Sequence, residues 1–238
     1  MLTNADTLHG AALLFAQGLF VTIELGILTV LFGGLLGGVL GVLRASDVSW
    51  VQAPIALYVE VMRSIPLLVF LFVAYYGLPI VFGITSFSPL TSALIAMSLH
   101  NAAYTCQVVR AGLDAVPRGQ WEAARALNLS YAVTMRRIIL PQALRIIIPP
   151  FTLQSIGTFK DTSVASVIGL IDLTNNALVI RANTGSNWDV LGVLALMYFV
   201  ICASVGAIGH AVEKRLDRGY FVLERPITQV DLLAPAVT

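Results

Sequence analysis

Charged residues are scarce in this sequence. Only 11% of its 238 residues are Asp, Glu, Lys or Arg, whereas 58% are hydrophobic and the mean hydropathy is +0.86. A soluble domain carries about 25% charged residues, so a soluble fold of this length would lack a polar surface. The net charge of +1 also excludes the basic field that nucleic-acid binding requires. The composition therefore predicts an integral membrane protein, surrounded by membrane lipid and without a nucleic-acid partner.

Cysteine, histidine and lysine are also few, and each shortage excludes a kind of site. Cys106 and Cys202 lie in apolar runs, which is more typical of packing residues than of a disulfide framework. The histidines are scattered without metal-ligand spacing, and no HExxH or GxSxG motif occurs. The only lysines, Lys160 and Lys214, cannot complete the G-x-x-x-x-G-K-[ST] loop that cradles nucleotide phosphates. We therefore expect no enzyme, no metal and no nucleotide or other cofactor in this chain.

Long apolar segments predict an all-α, polytopic membrane fold. A membrane-spanning helix needs about 20 apolar residues, and five segments satisfy this: roughly 11–43, 54–82, 89–110, 141–159 and 189–211. In the second segment, Glu60 and Arg63 place the first part at the membrane interface, so the span itself begins near Pro66. The first segment carries glycines at helical spacing, which predicts a face for close helix packing: Gly33, Gly34, Gly37, Gly38 and Gly41.

The basic residues predict the orientation. All of them except Lys160 and Arg181 lie in 44–63, 110–145 and 212–238. Because loops rich in Lys and Arg stay in the cytoplasm, we expect the N-terminus outside and the C-terminus inside. Residues 1–238 then form a single transmembrane domain, with a core over 18–212, a cytoplasmic loop over 114–130 and a cytoplasmic tail over 213–238.

The cytoplasmic loop reads as a short helix, a turn and a second helix. Proline suits a first helical turn, so Pro117 marks the start, and Asn128 favours the left-handed conformation that ends a helix. Ser130 can cap the helix that follows. The short helix combines small alanines with Trp121, Glu122 and Arg125, a composition suited to docking in a groove of a partner. A solvated helix without a partner is the alternative.

The spacing in this loop resembles a known motif. The order is Glu122-Ala123-Ala124, three residues, Asn128, nine residues, then Ile138-x-Leu140-Pro141. It resembles the E-A-A loop of ABC importer permeases, with asparagine where the family has glycine. The stretches LYVEVMRSIPLLVFLFVAYYGLP, SLHNAAYTCQVVRAGLDAVPRGQWEAARAL and FKDTSVASVIGLIDLT are similar to the polar amino acid branch, which includes histidine, glutamine, arginine and glutamate importers. The similarity covers roughly residues 18–212.

The resemblance implies a transporter of several subunits, each with its own role, in the bacterial cytoplasmic (inner) membrane. Two permease subunits, identical or paralogous, would form the pathway for a polar amino acid. An extracytoplasmic solute-binding protein would deliver it, and a cytoplasmic ATP-binding cassette ATPase dimer would bind ATP and Mg²⁺. The residues expected to couple this chain to the ATPase are Trp121, Glu122, Ala123, Ala124, Arg125, Leu127 and Asn128.

Polar residues within the apolar segments are candidates for the substrate pathway, because charges at membrane depth are costly. Glu24 could contact substrate or an opposite subunit, or could be a structural hydrogen-bonding group. Asn101, Tyr104 and Thr105 share one helical face. That face could line a polar path, or it could hydrogen-bond to neighbouring helices.

Two further clusters complete the candidate site. Asp161, Thr162 and Ser163 could hold the ammonium and carboxylate groups of an amino acid, or could form an interfacial ion pair with a helix cap. Arg63-Ser64-Ile65-Pro66 matches an R-[GS]-x-P signature of the same family, so Arg63 and Pro66 predict an elbow that could gate the pathway.

Two other functions fit the composition. One is a secondary transporter coupled to an ion gradient through Glu24 or Asp161, and the other is a membrane scaffold without a substrate. Co-purification of an ATPase and uptake of amino acids distinguish these possibilities from an ATP-driven importer.

Overall fold

The computed structural model describes residues 5–46 and 48–217, and every regular element in those ranges is helical. The predicted all-α class is therefore confirmed. The predicted tail lies outside the described residues from Arg218 onward. The α-helices are α1 (Ala5–Arg44), α2 (Ser49–Ser64), α3 (Leu67–Phe72), α4 (Leu78–Phe82), α5 (Pro89–Asp114), α6 (Arg118–Ala126), α7 (Tyr131–Thr134), α8 (Leu140–Asp161), α9 (Leu173–Thr184) and α10 (Asn187–Asp217). π-helical turns at Val73–Gly77 and Met135–Ile139 and a 3₁₀ helix at Thr162–Ile168 connect some of them.

Glycines on α1 allow it to pack closely against α5. A Cβ atom built on Gly33 would lie 2.7 Å from Asn101 Oδ1, and one on Gly37 would lie 2.5 Å from the Ala102 carbonyl oxygen. One on Gly41 would lie 2.6 Å from the Cβ of Val109. The predicted small-residue face is therefore confirmed at these three positions. Since residue numbers rise together along both helices, α1 and α5 run parallel.

Gly37 and Gly38 form a matched pair for testing this contact. Gly37→Ala is expected to lower the free energy of unfolding by about 1–3 kcal/mol, because the added methyl group meets the α5 backbone. Gly38 has no neighbouring atom within 4 Å of a built Cβ, so Gly38→Ala is expected to leave stability unchanged or raise it by up to about 1 kcal/mol. Thermal unfolding of the purified variants in detergent measures both; equal losses would contradict the proposed contact.

The second apolar segment bends sharply where the elbow is predicted. Helices Ser49–Ser64 and Leu67–Phe82 meet at 102°. Ile65, between them, is extended at φ −100° and ψ 131°, as expected for a residue that precedes proline. The bend confirms that the second segment divides near Pro66, with α2 as a separate helix before it.

Helix α5 carries polar side chains along much of its length, and it lies in the middle of the bundle. Among the described residues, two helices are long and apolar enough to cross a membrane, His9–Arg44 and Asn187–Leu216. Two pairs of helices, each pair bent at a short break, could each form one further span. Helix α5 does not meet that criterion on its own, but α1, α2, α3 and α8 all pack against it. In a helix that is enclosed by other helices, polar side chains form hydrogen bonds with neighbouring helices inside the protein. Five spans and the orientation of the termini stay a prediction.

Helix α8 runs antiparallel to α1 and to α10. Gly26 and Gly34 of α1 face Phe159 and Phe151, so residue numbers fall on α8 as they rise on α1. Gly206 and Gly209 of α10 face Ile156 and Thr152 in the same reversed order. Helices α1, α5 and α10 therefore point one way and α8 points the other.

Helix α9 was not expected, because its segment mixes polar and apolar residues. Asp172 starts it by accepting a hydrogen bond of 2.8 Å from the Asn175 backbone N–H. Gly18 of α1 makes room for the same turn, since its built Cβ would lie 2.7 Å from the Asp172 carbonyl oxygen. Helix α9 thus packs against the N-terminal part of α1.

Candidate functional site

A cavity of about 370 Å³ lies between the start of α3, the middle of α5 and the second half of α8. Three of the predicted pathway residues line it: Asn101, Tyr104 and Asp161. The other lining residues are Leu67, Met97, His100, Val108, Gln154, Gly157 and Thr158. Polar side chains from two packed helices therefore converge on one space, which is large enough for a small molecule.

A hydrogen-bond network joins α5 to α8 at the wall of the cavity. The Asn101 side-chain amide donates to Thr158 Oγ1 at 2.6 Å, and Thr105 Oγ1 donates to Asn101 Oδ1 at 3.2 Å. The Gln154 amide donates to Thr105 Oγ1 and to the Asn101 carbonyl oxygen, both at 3.0 Å. Asn101 thus lines the cavity and also links α5 to α8 by hydrogen bonds. Thr105 is buried and only takes part in the link between the helices.

The cavity carries a carboxylate and is close to a cation. The exposed Asp161 lies at the end of α8 and lines the cavity. The Arg63 guanidinium lies 5.3 Å from the centre of the Tyr104 ring, and the His100 ring lies 5.0 Å from the same ring. A carboxylate accepts hydrogen bonds from an ammonium group, and a guanidinium donates to a carboxylate. Such a set of groups suits a small zwitterion.

The predicted elbow lies directly beside this cavity. Leu67, the first residue of α3, lines the cavity immediately after Pro66. Arg63, before the bend, contacts Tyr104 of the cavity wall. Any change in the 102° angle would therefore alter the cavity wall. The gating role of Arg63 and Pro66 stays a prediction.

Four predicted pathway residues lie outside the cavity lining: Thr105, described above, and Glu24, Thr162 and Ser163. Thr162 is buried and donates to the Phe159 carbonyl oxygen at 2.8 Å, and Ser163 donates to the Lys160 carbonyl oxygen at 2.7 Å. Glu24 is half-buried on α1, and within the described residues no hydrogen bond or ion pair reaches it. Their part in the pathway stays a prediction.

The sequence contained an unused signal for part of the cavity. Gln154, Thr158 and Asp161 are spaced four and three residues apart, so they share one face of α8. Only Asp161 was expected to take part. His100 is four residues before Tyr104 and forms a similar pair on α5. Both stripes were visible in the sequence, but nothing in it showed that they face each other.

The loop over 114–130 has the predicted helix–turn–helix form. Asn128 has a φ of 52°, the only positive φ among the described non-glycine residues. The turn is closed by hydrogen bonds from the Asn128 N–H to the Arg125 carbonyl and from the Leu129 N–H to the Ala124 carbonyl, at 2.9 and 3.1 Å. Ser130 Oγ accepts from the Val133 N–H at 3.4 Å and starts the next helix.

Helix α6 has one face against its own chain and one face open. Ala124 is only 1% exposed, and the half-buried Trp121 stacks on Tyr131 with ring centres 6.1 Å apart. The open face and the turn after it present Glu122, Ala123, Arg125, Leu127 and Asn128. Leu127 is 72% exposed, so it adds an apolar group to this open face. The coupling role of all seven predicted residues stays a prediction.

The buried face of α6 is connected to the helices that form the cavity. Trp121 packs on a core cluster formed by α5, the turn after it, the π-helical turn at Met135–Ile139 and the first half of α8: Val109, Leu113, Val116, Ile139, Ala143 and Ile147. The same α5 and α8 line the cavity through Asn101 and Asp161. A displacement of α6 would therefore move the cavity walls through packed side chains.

Comparisons with known proteins agree with this architecture. The family described as binding-protein-dependent transport system inner membrane component matches residues 13–218. The L-cystine transport system permease protein TcyB of Bacillus subtilis is 38% identical over 209 residues, which cover 86% of this chain and 87% of that protein. The arginine transport system permease protein ArtQ of the same organism is 33% identical over 203 residues, 84% of this chain and 91% of ArtQ. The crystal structure of an amino acid ABC transporter with histidines superposes with a TM-score of 0.80 at 32% identity, covering 90% of this chain and 100% of that chain.

Proposed function

Because the chain belongs to the binding-protein-dependent transport system inner membrane component family, it is a permease subunit of an ABC importer, and we propose that its cargo is a polar amino acid. The named relatives transport cystine and arginine, and the cavity offers groups for both ends of a zwitterion. Asp161 would accept the ammonium group. Arg63 and His100, which both lie against the Tyr104 ring, would donate to the carboxylate.

One observation carries this proposal: α6 and the cavity are joined by the same two helices. The open face of α6 is available to an ATPase partner, and its buried face packs through Trp121 on α5 and α8. Those helices hold Asn101, Tyr104 and Asp161 at the cavity. Closure of an ATPase dimer against α6 would change the spacing of the cavity walls. The site would then open alternately to either side of the membrane.

The proposed assembly places this chain in the bacterial inner membrane. Residues 1–238 form one transmembrane domain with five spans, the N-terminus outside and the C-terminus in the cytoplasm. The loop over 114–130 faces a cytoplasmic ATPase dimer, which binds ATP and Mg²⁺. A second permease subunit completes the pathway, and an extracytoplasmic binding protein delivers the cargo. The shared direction of α1, α5 and α10 and the opposite direction of α8 support this topology.

Reconstitution into proteoliposomes tests the proposal. We expect the tagged chain to co-purify with a P-loop ATPase and to import a radiolabelled polar amino acid only when ATP and the binding protein are present. Vesicles loaded with a non-hydrolysable nucleotide are the control. Uptake that needs an ion gradient, proceeds without ATP and occurs without a co-purifying ATPase would instead establish a secondary transporter.

A further inference from the structure

A second concave surface lies on the side of the bundle away from the cavity residues. It is a groove of about 440 Å³ whose floor is α8 and whose walls are α1 and α10. Its lining residues are Ile27, Val30, Leu31, Ile148, Phe151, Thr152, Ser155, Phe159, Val205, Ile208, Gly209 and Val212. The substrate pathway proposed above uses none of them.

The groove offers nothing to a polar ligand along its length. Its two hydroxyl groups are already used within α8, since Thr152 Oγ1 donates to the Ile148 carbonyl at 2.9 Å and Ser155 Oγ donates to the Phe151 carbonyl at 2.8 Å. Every other lining side chain is apolar or glycine. Hydrocarbon is therefore the chemistry that this surface favours.

Two arginines mark one end of the groove. On α8, Arg145 lies one turn before the lining residue Ile148, and on α10, Arg215 lies one turn after the lining residue Val212. Each arginine is therefore on the same face of its helix as residues that line the groove. The helices are antiparallel, with Thr152 facing Gly209. Arg145 lies seven residues before Thr152, and Leu216 lies seven residues after Gly209. Because the helices are antiparallel, Arg145 is opposite Leu216, which is next to Arg215 in the sequence. Both guanidinium groups therefore belong to the same end.

This end of the groove is the end that carries α6. The Gln142 side-chain amide of α8 donates to Gln120 Oε1 of α6 at 3.4 Å, and Arg145 follows within one turn. In the orientation of the proposed function, on which this step rests, the arginines lie at the cytoplasmic membrane surface. The exposed Lys214 adds a further positive charge. Among the described side chains of α10, Glu213 is a nearby carboxylate, and its Oε2 is hydrogen-bonded to His210 Nδ1 at 2.9 Å.

We propose that this groove binds an anionic phospholipid of the cytoplasmic leaflet. An acyl chain lies along α8 between α1 and α10, and the phosphate lies between Arg145 and Arg215. Basic clusters between helices on the cytoplasmic side select anionic headgroups, and arginine binds phosphate in a bidentate manner. Charge complementarity distinguishes this occupant from a zwitterionic lipid, and the apolar floor distinguishes it from free phosphate.

Native mass spectrometry of the complete transporter tests the proposal. The complex is extracted from membranes that contain equal amounts of phosphatidylglycerol and phosphatidylcholine, and the retained lipids are counted. We expect the wild type to retain an excess of phosphatidylglycerol. Arg215→Gln is expected to reduce that excess about fivefold, the equivalent of about 1 kcal/mol for one basic residue at the surface. Arg110→Gln, at the same end but outside the groove, is the matched control and should leave the excess unchanged.

A second variant tests the acyl-chain part without removing a charge. Ile208 lines the groove and is 66% exposed, so Ile208→Trp should fold normally, fill the groove and reduce retained lipid of both kinds. Three results would overturn the proposal: equal effects of Arg215→Gln and Arg110→Gln, unchanged lipid retention in Ile208→Trp, or efficient disulfide cross-linking of Val212→Cys between two copies of the chain. Lipid retention is measured without transport, so these results are independent of whether the chain imports amino acids.

Discussion

Replacing Ala123 with arginine is expected to abolish ATP-driven uptake and to remove the ATPase from the purified complex. Ala123 lies on the open face of α6, between Glu122 and the buried Ala124. A long charged side chain at this position would prevent α6 from docking in a groove of the ATPase. Truncation of a central interface residue costs about 2–4 kcal/mol, and a steric and charge conflict of that size weakens docking by about 30- to 1,000-fold.

The control for this prediction is the same substitution at another exposed alanine. Ala111→Arg lies on α5, near the same end of the bundle but outside α6, and should retain the ATPase. Thermal unfolding of the Ala123→Arg permease should match the wild type, because Ala123 is exposed and belongs to none of the core clusters that the described residues form. Normal ATPase binding and uptake in Ala123→Arg would contradict a docking role for α6.

Replacing Asp161 with asparagine is expected to raise the half-saturating substrate concentration for uptake about 10- to 100-fold. Asparagine has nearly the same shape, so the cavity keeps its volume, but the charge that would pair with an ammonium group is lost. A hydrogen bond to a charged group contributes about 1.5–3 kcal/mol, which corresponds to this range. Initial rates of radiolabelled uptake in proteoliposomes, measured over a series of substrate concentrations, give the value.

Ser163→Ala provides the comparison, because Ser163 is close in sequence but bonds to the Lys160 carbonyl and does not line the cavity. It should transport with nearly wild-type affinity. ATP hydrolysis without substrate should be unchanged in both variants, since neither residue lies near α6. An Asp161→Asn variant with unaltered affinity, or a Ser163→Ala variant impaired to the same degree, would exclude the carboxylate as a substrate group.

Local signals explain why the form of the loop over 114–130 could be predicted in detail. Pro117, Asn128 and Ser130 act on their own backbone or on residues a few positions away, so their effects do not depend on the rest of the fold. The structure shows the helix start, the left-handed turn and the cap at those positions. What binds the open face of α6 is a different question, because the sequence of one chain contains no partner surface.

Helix α9 and the cavity could not be predicted in the same way. The segment LTNNALVIRANT has no clear apolar period, and its helix depends on the Asp172 cap and on the space that Gly18 leaves on α1. Asn101 was a candidate from its own helix, but its contact with Thr158 joins residues 57 positions apart. Tertiary packing decides such pairs, and a periodic pattern within one helix gives no information about them.

The π-helical turn at Met135–Ile139 sets the rotational phase of the helix that follows it. An α-helix turns by about 100° per residue, so removing one residue from this turn could restore ordinary α geometry while rotating everything beyond it by about that angle. Gln154, Thr158 and Asp161 would then point away from α5. The number of residues in this turn is therefore constrained, even where its side chains can be replaced. Natural variation here should consist of substitutions rather than insertions or deletions.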